Sequence, residues 1–466
     1  MRNKILKISL IAFVSLLIVG SAIGYIAACS GGDYDDEWVS SFFAPENARV
    51  AEGDQLLFKS MLPFYKVGFI SDFKDSFEDQ NTWEWFSFFN RKISEAELRF
   101  FLYNAQLDQI DASIFYLKNN SYPIDDRLKK LNLLSYEKPE DAKEFLFYLG
   151  FAKRCEPYTT YIPQGWDDDP SNDPRTKHEA IDKLLAGGTK QMQRAASPFI
   201  KERYAYQLVR LYFMKSDYSG CIEFYNQSKS LFTQNNTIKY RAMGYAAGAY
   251  YKKKSYGTAN YLYSIVFDKC KQLRLQAYQS FHPQEESDWM ACLAMAKNER
   301  EKEVLWQMLG IYVDPFRAIK EIYTMNPKSE LLNLLLTRAI NTEEEQFLPY
   351  YSYYDKKDTS HEQFAFRAEV VNRKLLDFVC HVAQKGDAPN MPLWQLSAGY
   401  LSIAEGEYGK AKPYLAAADH NSSNALVRDQ VRLLRLISLV ETALPGNSID
   451  ESNLKSQLEW LAAGNF

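Results

Sequence analysis

An all-α fold is predicted for this 466-residue chain, and three observations predict it. One spacing of aromatic and small residues, in steps of 6, 3, 4 and 3, recurs in three separate stretches. Helix caps and apolar stripes at three- and four-residue spacing flank those stretches. No run of alternating β-branched residues bounded by turn residues is present, so few or no strands are expected.

Taken in order, residues 1–28 are an address. Arg2, Lys4 and Lys7 form a positive start, and no charge follows from Ile8 to Ala28. That layout, with small residues at its end, belongs to a secretory signal. The uncharged run of 21 residues could also span a bilayer, so an uncleaved anchor is the rival reading. Ile26-Ala27-Ala28-Cys29 resembles the lipobox of bacterial lipoproteins. The resemblance implies cleavage before Cys29 and a lipid on its thiol, with fatty acyl chains (palmitate among them) holding the protein to a membrane. Several chains anchor stably where one would be marginal.

Residues 29–45 form an acidic tether. Ser30-Gly31-Gly32 is flexible, and Asp33, Asp35, Asp36 and Glu37 follow. This pattern is similar to the export signal that carries Bacteroidota lipoproteins to the outer face of the outer membrane, which implies display at the cell surface. A plain solvated linker is the alternative. A calcium site would use the same carboxylates, but the spacing of a calcium-binding hand is missing.

Composition narrows the function classes. Residues 1–28 hold three basic and no acidic residues, so the remainder carries 52 Lys+Arg against 59 Asp+Glu, a net charge of −7. No basic stripe exists, which argues against nucleic acid as a partner. Apart from Cys29, the cysteines are Cys155, Cys221, Cys270, Cys292 and Cys380, an odd number at wide spacings. They read as small buried residues, not as a disulfide framework. Five scattered histidines give no zinc spacing, and no cofactor or metal site is expected. The motifs of serine hydrolases, P-loops, dinucleotide folds and kinases are all missing, so the chain is read as a non-enzyme.

Residues 46–153 form an N-terminal helical region. "SFFAPE" (Ser41–Glu46) and "TWEWFSFF" (Thr82–Phe89) read as apolar anchors that pack the start of the chain against the first helices. Ser94-Glu95-Ala96-Glu97 has the form of a capping box that opens a helix carrying Leu107, Ile110, Ile114 and Leu117. Residues 154–177 form an acidic, aromatic loop with four prolines. Its Tyr158, Tyr161 and Trp166 beside Asp167, Asp168 and Asp169 could stack on and hydrogen-bond to a sugar, or the rings could pack back onto the helices. "PYYSYYDKKD" (Pro349–Asp358) is a second aromatic break.

The repeats occupy 178–345 and 390–466, with a loop and connecting helix at 346–389. Ser197-Pro198 marks a helix start. The spacing is carried by Tyr212, Tyr218, Cys221, Tyr225 and Ser228, by Tyr250, Tyr256, Ala259, Tyr263 and Val266, and by Ser402, Tyr408, Ala411, Leu415 and Ala418. Val209, Ala247 and Gly399 each precede the second member by nine residues. This is helix, short turn, helix, with small residues where the two helices meet. Tyr256 should fill the adjoining groove, and Asn260, one step off the stripe, should face solvent. A degenerate copy sets Trp306, Leu309 and Gly310 against Ala318, Ile322 and Met325. Leu433, Ile437, Val440 and Leu444, then Leu454, Leu458 and Leu461, continue the helical stripes to the end.

These stretches resemble tetratricopeptide repeats, "AEGEYGKAKPYLAAA" most of all, which implies an α-solenoid of helical hairpins. "FFAPE", "CEPYTTY" and the stretch Asp314–Asn341 resemble an uncharacterised family of Bacteroidota lipoproteins that are longer than this chain; no activity comes with that resemblance. The expected function is a lipid-anchored interaction scaffold for another envelope protein or a peptide. The alternative is a glycan- or nutrient-binding lipoprotein similar to the SusD-like family, although the start "CSGGDYDDEW" departs from that family's pattern.

Overall fold

The computed structural model describes residues 40–50, 54, 57, 58, 62, 63, 77–120, 122–161, 172–347, 368–442 and 451–463. Cys29, residues 30–37, Trp166, Asp167–Asp169, Leu444 and the break at 349–358 lie outside them. Regular structure among the described residues is helical, except for a two-residue parallel pairing of β1 (Ser40–Ser41) with β2 (Leu62–Pro63). The protein is all-α. No helix among these residues is long and apolar enough to cross a membrane.

The chain divides into two compact units, residues 72–305 and residues 1–71 with 306–466. The first contains α1 (Phe77–Phe88), α2 (Glu95–Arg99), α3 (Leu107–Lys118), α4 (Asp126–Lys129), α5 (Pro139–Thr159), α6 (His178–Arg194), α7 (Pro198–Met214) and α8 (Tyr218–Ser228). It continues with α9 (Thr237–Lys252), α10 (Tyr256–Lys269), α11 (Arg274–Ser280) and α12 (Glu286–Ala294). The boundary falls within α13 (Glu299–Tyr312).

Trp85 centres the core at the start of this unit. Its ring lies 4.6 Å from Phe145 and 4.9 Å from Phe199, both edge-on, a geometry that aromatic pairs favour. Trp85 and Phe89 of the "TWEWFSFF" anchor are therefore core, whereas Trp83 stays exposed. Beyond it, each helix from α7 to α10 packs on its successor.

Two local expectations for this unit need correction. The Ser94 hydroxyl does accept Glu97 N–H, at 3.2 Å, but the Glu97 carboxylate turns inward and accepts Leu133 N–H at 2.6 Å. The helix it opens, α2, is five residues long and passes into a single π turn at Phe100–Asn104. The apolar stripe from Leu107 sits on a separate helix, at whose start Gln106 N–H donates to Gln109 Oε1 at 2.9 Å. The second correction concerns the acidic loop. The preceding helix α5 runs on to Thr159 despite Pro157, so residues 154–159 are helical. Pro157 lacks an N–H, yet the helix end is closed by Thr160 N–H on Glu156 O at 2.9 Å and by the Thr159 hydroxyl on Cys155 O at 3.0 Å.

The second unit holds the end of α13, α14 (Pro315–Met325), α15 (Leu331–Phe347), α16 (Arg373–Lys385), α17 (Met391–Ala404), α18 (Tyr408–Asn421), α19 (Ala425–Thr442) and α20 (Glu451–Ala462). Here α17 is the central helix, with all twelve residues from Leu393 to Ala404 buried, and it packs on α15, α16, α18 and α19. "SFFAPE" is buried too, but it packs on α15, α17 and α19 of this unit, not on the first helices. Its hydrogen-bond partners lie 298 to 388 residues away in sequence, a distance over which no local pattern reports.

Candidate functional site

The three hairpins predicted from spacing share one turn geometry. Lys215, Ser216 and Asp217 N–H donate to Leu211, Phe213 and Tyr212 O; Lys253, Lys254 and Ser255 N–H donate to Ala249, Tyr251 and Tyr250 O; Glu405, Gly406 and Glu407 N–H donate to Leu401, Ile403 and Ser402 O. The middle residue is left-handed each time, with φ of 64° at Ser216, 61° at Lys254 and 82° at Gly406. This is a helix end closed by a reversed residue, with a new helix starting two residues later.

Small residues then let the helix pairs close. Cys221 Sγ sits 3.5 Å from Val209 O, Ala247 and Ala259 share a cluster with Tyr263, and a Cβ at Gly399 would stand 2.6 Å from Leu415 Cδ2. Cys221, Tyr225, Ala259, Tyr263, Ala411 and Leu415 are buried. Tyr212, Tyr218, Tyr250, Tyr256 and Tyr408 are half-buried. Tyr256 lies edge-on to Tyr251 of the preceding helix, ring centroids 4.8 Å apart. Asn260 overturns expectation: it is fully buried, donating to Tyr256 O at 2.9 Å and accepting His282 N–H at 2.8 Å. The reason is that α10 is covered on a second side by α11 and α12, so a stripe read from one hairpin underestimates its burial.

One face of this unit joins arginines to tyrosines. Arg210, on α7, donates through Nε to the Tyr245 hydroxyl of α9 at 3.1 Å and through Nη2 to Thr159 O at 2.8 Å. Arg241 lies 5.7 Å over the Tyr206 ring, and Tyr206 and Tyr245 are 6.3 Å apart. Gly244, on the same helix, has nothing within 4 Å of where a Cβ would stand. Tyr206 is buried, and Arg210, Arg241 and Tyr245 are half-buried, so only the outer edges of this array border the open space beside Gly244. Deeper in the same unit, the buried Arg203 guanidinium pairs with Glu84 and lies over the Phe199 ring. A pair taken out of water gains little net energy; this one links α1 to α7.

Of the expected ligand loop, Tyr158 packs against the core and Tyr161 lies under the Arg175 guanidinium at 5.6 Å. Arg175 in turn pairs with Asp173, which holds that carboxyl below its usual range. Both described rings are thus engaged by the protein itself. The five cysteines from Cys155 onward are free thiols, four of them buried; burial pushes Cys155 and Cys221 up to about 12. Among the described residues no cluster of His, Cys, Asp or Glu could hold a metal ion.

Arg203, Arg210, Arg241 and Tyr245 escaped the sequence reading. The one signal was the seven-residue step from Arg203 to Arg210, two turns on one helix face. The chain matches no protein-family model, no curated protein and no solved structure.

Proposed function

We propose that this chain is a lipid-anchored, outer-membrane surface protein whose tetratricopeptide-like hairpins form a scaffold for binding another protein or a peptide. The observation that carries the reading is the recurrence, in three hairpins, of one turn with the same three hydrogen bonds and one small-residue contact. Hairpins of that kind stack into extended binding surfaces. The half-buried Arg210, Arg241 and Tyr245, beside the open space at Gly244, border the surface we assign to the partner. Anchoring rests on the lipobox-like Ile26–Cys29 and display on the acids from Asp33 to Glu37.

Two experiments test this. Cys29→Ala should release the protein from membranes or leave its precursor uncut; normal processing and attachment would refute the anchor. A photo-crosslinking residue at Gly244, where a side chain has open space, should trap one discrete envelope partner in cells, and Arg241→Glu should abolish the adduct. Absence of any adduct, together with saccharide binding lost in Trp166→Ala, would replace the scaffold by a glycan-binding function.

A further inference from the structure

In the second unit, residues 42–48 lie against α15, α17 and α19, and from Phe42 N to Ala44 N the partners of their backbone are side chains. Glu344 Oε1 accepts Phe42 N–H at 2.8 Å and Phe43 N–H at 3.1 Å. Asn341 Nδ2 donates to Phe43 O at 3.1 Å and also to Glu344 Oε2 at 2.7 Å. Gln430 brackets the segment, its Oε1 accepting Ala44 N–H at 2.8 Å and its Nε2 donating to Phe42 O. Five consecutive backbone polar groups, from Phe42 N to Ala44 N, are thus met by three side chains. Pro45, which has no N–H to satisfy, opens a 3-10 turn to Ala48, and Asn390 Nδ2 closes on Asn47 O at 2.9 Å.

The buried side chains of the cleft depend on this segment for partners. Glu344 and Gln430 are fully buried, and a buried carboxylate or amide without partners is costly. The segment supplies two backbone donors to Glu344, and Tyr400 adds its hydroxyl at 2.7 Å. Selectivity comes from one side-chain pocket. Phe43 is fully buried and stacked on Tyr400 at 5.8 Å with the rings 13° apart, and Phe347 meets the same ring edge-on at 5.7 Å. Main-chain hydrogen bonds for affinity and an aromatic pocket for specificity are the working parts of a peptide-binding site.

We propose that the cleft between α15, α17 and α19 is a peptide-recognition site for an extended Phe-Phe-Ala-Pro segment, and that residues 42–48 of this chain occupy it as a separable ligand. The proposal does not depend on the lipid anchor or on the partner assigned above.

The test keeps the whole chain. A specific protease site is inserted after Val50, next to the exposed Arg49, and cut after folding. The cut segment should stay bound and be replaced by a fluorescent peptide spanning residues 40–49, whereas the uncut protein should take up none. Phe43→Ala in the peptide should weaken binding roughly ten- to hundredfold, the worth of burying that ring. N-methylation of the Ala44 amide, which removes the donor to Gln430, should also weaken it. Two results would overturn the proposal. One is a cut protein that loses its helical signal even with excess peptide, which makes the segment an inseparable part of the core. The other is peptide uptake indifferent to both changes.

Discussion

Gly310→Ala tests the close approach of α13 and α14. A Cβ at Gly310 would stand 2.7 Å from Ala318 Cβ and 2.8 Å from Leu335 Cδ2. Carbon atoms in contact prefer about 3.5–4.0 Å, so the helices must part by about 1 Å or distort. Leu335 can rotate, but Ala318 Cβ is fixed to its backbone. Overpacking of this kind costs about 1–3 kcal/mol. Against it stands the helix-propensity gain of Gly to Ala, about 1 kcal/mol. The net expectation is a loss of about 0–2 kcal/mol, and about 1–3 kcal/mol relative to a glycine-to-alanine change with open space. Gly244→Ala is the matched control: it lies inside α9 with nothing within 4 Å, so it should show only the gain. Urea denaturation followed by circular dichroism measures both. The decisive variant is Gly310→Ala with Ala318→Gly, which restores the space and should show a favourable coupling of at least about 0.5 kcal/mol in a double-mutant cycle. Equal stabilities of Gly310→Ala and Gly244→Ala, or no coupling, would refute the packing argument.

Lys254→Gly should stabilise by up to about 1 kcal/mol, because Lys254 holds φ at 61° where glycine is unstrained; a melt showing no gain would argue against the shared turn. Asn260→Leu should cost about 1–3 kcal/mol, since it removes the buried acceptor of His282 N–H; tolerance would restore the solvent-facing assignment. Glu97 has a folded-state pKa raised by burial, partly offset by its backbone hydrogen bond from Leu133. A raised acid pKa means that the native state holds its proton more tightly, so wild-type stability falls as pH rises from the ordinary value of 4.5 through the raised one. Glu97→Gln cannot ionise, so its stability relative to wild type should improve between pH 4 and pH 7; a gap that stays flat or reverses in denaturation measured across that range would refute the shift.

The sequence by itself determined the helical class and the hairpin turns. Both are local: caps, a 3.6-residue period and the sites of small residues such as Ala259 and Ala411 act within one or two helical turns. It also read four of the five free cysteines correctly as buried, and Cys221 takes the seam position that Ala259 and Ala411 hold in the other two hairpins. Tertiary structure alone decided the rest. Asn260 is buried because a later pair of helices covers it. Glu97 abandons its capping role because Leu133, thirty-six residues on, offers a buried N–H. Phe43 sits against Tyr400 because α15, α17 and α19 place Glu344, Asn341 and Gln430 around the backbone of residues 42–44. A buried polar group is satisfied wherever the folded chain brings a partner, and sequence spacing carries no record of a partner three hundred residues away.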